Sequence, residues 1–267
     1  MTRLRLPCVL YACALAATTA AQAAAPPRRP GVLVVALSMP APGFQVGAVR
    51  GASVVYARGL EVELARALGR RLGARRVDFV QVPDARRLLA PGPKPWDLAL
   101  AQVLPTPQRA RALDLSEPYL RADQAVLLAR GVPRPRSLAD LRRLQLCVVR
   151  GSRGADVAAA RVRPARQALV AAGDDALLRL VQTGRCDAAL REAPLLGQAL
   201  AARPRAAFGP VAGRIETGAA FSVALQKGSP LTSSVDRALR RLRAEGKLGR
   251  LAKAWLGLDP GRLRVLR

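Results

Sequence analysis

Short apolar runs and helical stripes alternate along most of the chain. Gly31 to Leu37 (GVLVVAL) is a continuous apolar run of strand length, which fits a strand buried on both faces. It gives way to a loop rich in turn residues, Ser38 to Phe44. Leu60, Leu64, Ala67 and Leu68 fall at helical spacing and predict an amphipathic helix over 59–68, ended by Gly73. Residues 77–82 read as the next strand, 84–95 as a helix and a Pro/Gly turn, and Asp97 to Leu100 as a buried strand entered from that turn. Further strands are predicted at 125–129, 144–149, 183–190 and 218–225, the third of these entered through a turn. Helices are predicted at 174–181 and 231–245.

Between the strand at Asp97 and Tyr119 lies the stretch with most chemistry in it. Thr106 followed by Pro107 is a helix start, a capping hydroxyl and then proline where its missing N–H costs nothing. Arg109 therefore sits in the first turn of a short helix just beyond a strand end, where open α/β sheets bind ligands. A guanidinium there is suited to a carboxylate, which it can hold through two parallel hydrogen bonds. The alternative is an exposed arginine among many. A second turn, Arg150-Gly151-Ser152-Arg153-Gly154, lies between a strand and a helix and presents backbone N–H groups to an anion, a weak signal on its own.

Composition narrows the function. At 267 residues, half of them apolar, the chain has room for two domains with real cores. The net charge of +26 invites a nucleic-acid reading. Against it, only four of the 44 basic residues are lysine, which points to codon bias, and 3% aromatics provide no stacking platform. No nucleic-acid partner is expected, and the charge favours anionic solutes or an acidic envelope surface. Histidine is absent, which removes the commonest general base and metal ligand. No G-x-S-x-G, S-x-x-K or C-x-x-C motif occurs, so neither cofactor nor metal is expected. Arg3 and Arg5, an apolar run from Leu6 to Ala17 and the small residues Ala21-Gln22-Ala23 make residues 1–23 a signal peptide cut near Ala23. Acylation at Cys13 is the poorer reading, because Tyr11 is bulky and the apolar run before it short.

The ordered set Asp97, Thr106, Arg109, Asp114, Ser116, Pro118 and Tyr119 resembles the core signature of the periplasmic amino-acid-binding proteins. These are the solute-binding subunits of polar amino-acid ABC importers (bacterial extracellular solute-binding protein family 3). Gly59-Leu60-Glu61-Val62-Glu63-Leu64-Ala65 resembles the family's G-F-D-x-D-L-A segment, Ser137-Leu-Ala-Asp-Leu another, Gly184-Arg-Cys-Asp-Ala188 its G-R-x-D-A, and residues 246–257 its closing segment. The resemblance runs from Gly31 to Gly257. It implies an α/β fold of two doubly wound lobes joined by a two-strand hinge, the type II periplasmic binding protein arrangement. Lobe 1 would comprise residues 31–127 and 218–267, and lobe 2 residues 128–217.

By the same resemblance Arg109 holds a ligand's α-carboxylate, Glu192 its ammonium, and the turn at Ser152 closes on it. Ser38 belongs to the loop that lines the pocket. The family's stacking aromatic matches Ala41, a departure, and Phe44 is either a pocket or a packing residue. Positions that commonly supply hydroxyls before the arginine are here Ala101 and Leu104, with Gln102 between. Arg153 either points into the cleft, favouring an acidic ligand, or into solvent. The expected partners are an amino acid or related small carboxylate and an inner-membrane ABC permease, with the protein a periplasmic monomer and no enzyme. Two other readings stay open: an exported cyclohexadienyl-type dehydratase with Glu192 as its acid/base, and a sensory or accessory protein.

With Cys8 and Cys13 in the signal peptide, Cys147 and Cys186 remain in an oxidising compartment. Their two strands should be parallel neighbours with the cysteines roughly level, so a disulfide is one expectation and two free core cysteines the other.

Overall fold

The structure, a computed structural model, describes residues 29–82, 85–90, 92–201 and 203–267. The signal-peptide reading, Cys8 and Cys13 included, lies outside the described residues. Along the chain come β1 (Val32–Leu37), β2 (Val46–Arg50), β3 (Ser53–Arg58), α1 (Leu60–Arg71), β4 (Arg76–Gln81) and β5 (Leu98–Val103). Then follow α2 (Pro107–Ala112), β6 (Leu113–Arg121), β7 (Gln124–Leu128), α3 (Leu138–Arg143), β8 (Leu146–Val149) and α4 (Arg153–Val157). The remainder is β9 (Leu169–Ala171), α5 (Asp174–Gln182), β10 (Ala188–Glu192), α6 (Ala193–Ala201), β11 (Val211–Ile215), β12 (Ala220–Gln226), α7 (Thr232–Ala244) and α8 (Lys247–Leu256). Where a helix was predicted before the Pro/Gly turn, only a 3₁₀ helix forms, Ala85–Leu89. Prolines at 91, 93 and 95 leave no room for more.

A seven-stranded sheet has the order β2-β3-β4-β1-β5-β12-β6, with β1 parallel to β4 and β5 at its centre. Its apolar run serves two cores: Leu33, Val35 and Leu37 face α1, α7 and α8, while Val34 and Ala36 face Trp96 and Leu88. Helix α1 has no side-chain cap. Instead Leu60 and Glu61 donate their N–H groups to the carbonyls of Gly43 and Phe44, 3.0 Å each. Gly59 permits this closeness, since a Cβ there would stand 2.2 Å from the Phe44 oxygen.

A five-stranded sheet has the order β11-β7-β10-β8-β9, with β8, β9 and β10 parallel. One face packs on α5 and α6, the other on α3 and α4. The chain passes from the first sheet to the second at Ala122-Asp123, β7 lying wholly in the second, and returns between Ile215 and Ala220. The crossings are bonded to each other, Ala122 N–H to the Ala219 carbonyl at 2.8 Å. Asp123, fully buried, accepts from Arg214 at 2.5 Å and from the Thr217 N–H at 2.8 Å. A third connection is the C-terminal tail. Leu258 and Leu266 are buried in the two cores of the second sheet, and Val265 bridges to Arg214.

Candidate functional site

The strand before Arg109 is not regular. Ala99 pairs with Ala224 and Val103 with Ser222, so β5 carries a bulge of extra residues opposite β12. Gln102 lies in it with φ 51, the left-handed region that a side chain with a Cβ rarely adopts. The bulge turns the Gln102 N–H into the lobe, onto the Glu61 carboxylate at 2.9 Å. Just beyond, the Thr106 hydroxyl caps α2 by accepting the Arg109 N–H at 3.2 Å, as its spacing predicted. The half-buried Arg109 guanidinium folds back to donate to the Leu104 carbonyl at 2.7 Å. It makes no ion pair with any described residue, so most of its donors stay open to a ligand.

Behind this loop is a polar knot that sequence reasoning missed. Glu61 is fully buried, and three donors converge on it: the Gln102 N–H, the Tyr119 hydroxyl and the Gln45 amide, the last at 2.8 Å. Burial pushes the Glu61 carboxyl up to about 7, against the pull of the hydrogen bonds from Tyr119 and Gln102. The Tyr119 hydroxyl is raised well above its ordinary value, first by burial and then by the neighbouring Glu61 charge. Gln45 also accepts the Ser38 N–H at 3.1 Å, which ties the half-buried Ser38 to the same knot. The signal was an acid inside a helix whose apolar stripe was otherwise clean.

Phe44 belongs to the core. It is fully buried with its ring 6.0 Å from that of Phe221, so of its two expected roles the structure shows packing, and it cannot line a cleft. Ala41 and Leu104 are half-buried against the same core.

In the second lobe, Ser152 and Glu192 stand at the ends of the parallel strands β8 and β10, hence at one edge of the sheet. Ser152 is buried and caps α4, accepting the Ala155 N–H at 3.3 Å. Arg153, the next residue, is exposed. Glu192 is not a surface glutamate: it is 9% exposed and paired with Arg191, which also holds Asp174 at 2.6 Å. Opposite it on β7 is Gln124, fully buried, with neither end of its amide bonded among the described residues. The Gln124 oxygen lies 3.0 Å from where a Cβ on Gly154 would be, so α4 can sit this close only through glycine. The structure thus gathers Gln102, Leu104, Arg109 and Ser38 on the first lobe, and Ser152, Arg153 and Glu192 on the second. No hydrogen bond or ion pair among the described residues joins one set to the other.

Cys147 and Cys186 are bridged, with an S–S distance of 2.08 Å and Cα atoms 6.0 Å apart. They are not level on paired strands, however. Cys147 pairs with Ala189, and Cys186 reaches it from the loop before β10.

Two α/β lobes joined by two crossing segments, each with polar groups at the ends of its strands, define the architecture of a two-lobed solute-binding protein. The chain belongs to the bacterial extracellular solute-binding proteins, family 3, whose profile matches residues 33–258. Its fold is that of the type II periplasmic binding proteins. The L-cystine solute receptor of Neisseria gonorrhoeae, in its unliganded open conformation, is similar with a TM-score of 0.72 and 22% identity, over 86% of this chain and 94% of that one. Substrate-binding domain 2 of GlnP from Lactococcus lactis, also open, gives 0.70 and 16% over 89% and 99%. An ancestral cyclohexadienyl dehydratase gives 0.63 and 19% over 85% and 93%. At these identities the likeness is one of fold. No helix among the described residues is long and apolar enough to cross a membrane.

Proposed function

We propose that the protein is a periplasmic receptor that captures an amino acid or related small carboxylate between its lobes and delivers it to an ABC permease. The observation that carries this is Arg109, a guanidinium with no ion-pair partner among the described residues, at the strand-end loop of the first lobe. A ligand carboxylate would take its free donors, and Glu192 and the N–H groups by Ser152 would meet the rest of the molecule from the second lobe. Closure would then be favoured by the ligand's contacts to both lobes. The Arg109 side chain supports no core, so Arg109→Ala should leave the fold intact. The test is a thermal-shift screen of amino acids and organic acids, followed by calorimetry of the best ligand. Losing one partner of a desolvated charge pair costs about 2–5 kcal/mol of binding, so the variant should lose ligand-induced stabilisation. Unchanged affinity would remove the carboxylate role.

The dehydratase reading has the similarity to an ancestral enzyme in its favour. Its acid/base would be Glu192, but a Glu192 oxygen is already engaged by Arg191. Binding without turnover is the reading the geometry supports better.

A further inference from the structure

The strong positive charge is not used up by the cleft. A cavity of about 490 Å³ lies away from Arg109 and Glu192, between the end of β6, the start of α8 and the turn after it. Five cations line it, Arg121, Arg243, Arg250, Lys253 and Arg262, facing one carboxylate, Asp259. Their partners are weak or shared. Arg121 lies 3.6 Å from Asp123, which Arg214 already holds at 2.5 Å. Arg243 is 3.5 Å from Glu117, which Arg240 also takes, and its other bond is to a neutral carbonyl, that of Pro118. Arg262 is 3.8 Å from Asp259 and 91% exposed, Arg250 bonds only a carbonyl, and the Lys253 ammonium has no partner among the described residues.

Like charges gathered round a concavity repel one another, and an anion placed among them turns that repulsion into attraction. Several guanidinium forks together suit an oxyanion with oxygens on more than one side, which a single carboxylate lacks. We propose that this cavity is a second binding site, separate from the interlobe cleft, for a phosphate-type oxyanion, either free or carried on a lipid headgroup. It stands on this charge geometry and does not depend on what the cleft binds. An anion there would also touch the segments that lead out of the first lobe, since Arg121 immediately precedes the crossing and Arg262 the C-terminal tail.

The test uses the mature chain at constant ionic strength, so that screening is the same in every sample. Phosphate and pyrophosphate are titrated against sodium chloride with the melting temperature and calorimetry as readouts, and phosphatidylglycerol vesicles are tested in parallel by co-sedimentation. Lys253→Gln combined with Arg262→Gln removes two exposed lining charges, and Arg70→Gln combined with Arg130→Gln removes two exposed charges elsewhere. Both pairs should melt like the parent without anion. The lining pair should weaken anion binding at least about tenfold, the scale of a lost charge-assisted contact, and the distant pair less than about twofold. Stabilisation by the free anions assigns the site to a soluble ligand. Vesicle binding alone, lost in the lining pair, assigns it to a headgroup. Equal weakening by both pairs would mean diffuse charge, and no response of the parent protein to any probe would mean no site. Either outcome overturns the proposal.

Discussion

Replacing Glu61 by glutamine should change how stability depends on pH. In the folded protein the Glu61 carboxyl is raised from an ordinary 4.5 to about 7. The folded state therefore holds this proton more tightly than the unfolded chain does. The resulting stabilisation is complete below pH 4.5 and is lost as pH rises through 7. At about 1.4 kcal/mol per pH unit, the full span is worth roughly 3 kcal/mol. The substituted amide cannot ionise, so the stability of Glu61→Gln relative to the parent should rise by that amount between pH 4.5 and 8. A constant offset lies beneath this. The glutamine oxygen can still accept from Gln102 and Tyr119, but its amide would face the Gln45 amide, donor against donor. Such a conflict costs about 1–3 kcal/mol at every pH. Urea unfolding of both proteins at pH 4.5, 6, 7 and 8 separates offset from slope, provided the denaturant dependence stays equal. A difference that stays flat across the series would refute the argument, because it would mean that Glu61 titrates alike in both states.

Asp123→Ala should destabilise the protein by about 3 kcal/mol, since it leaves the buried Arg214 with only the part-exposed Glu216, at 3.0 Å, as counter-charge; chemical denaturation reads this directly. Reducing the Cys147–Cys186 bridge, which spans 39 residues, should cost about 4 kcal/mol by chain entropy, measured as a lower unfolding midpoint in reductant. Mass spectrometry of exported, unreduced protein should find neither cysteine alkylatable. On the proposed capture mechanism, the exposed Arg153 beside the Ser152 turn should make glutamate or aspartate bind more tightly than lysine or arginine, and the reverse order in calorimetry would contradict it.

The elements written in continuous apolar runs or clean helical stripes were legible in the sequence: β1, β7, α1 and α7 stand within a few residues of their predicted places. The hairpin β2–β3 was not, because β2 is an exposed edge strand with no buried face to impose alternation. The bulge at Gln102 left no trace either, as Leu98 to Val103 reads like any buried strand and the irregularity appears only against β12. Thr106 and Arg109 could be placed because capping is local. Glu61 could not, because its partners come from positions 45, 102 and 119 and meet only in the folded lobe. The disulfide was reached through parallel neighbouring strands, which is right, and through level cysteines, which is not; the loop before β10 supplies the missing reach.

The C-terminal tail has a consequence for the order in which the protein can be made. Leu266 fills a core of the second lobe, and the Arg267 carbonyl accepts the Leu138 N–H at 3.0 Å. The first lobe in turn lacks β12, α7 and α8 until the last fifth of the chain is present. Neither lobe therefore has all its parts until the segment beyond residue 246 has been made, although the second lobe's strands are all made before those of the first are finished. Both close together once residues 247–267 have been made. A chain lacking residues 258–267 would leave both cores of the second lobe open, although every strand of that lobe would be present.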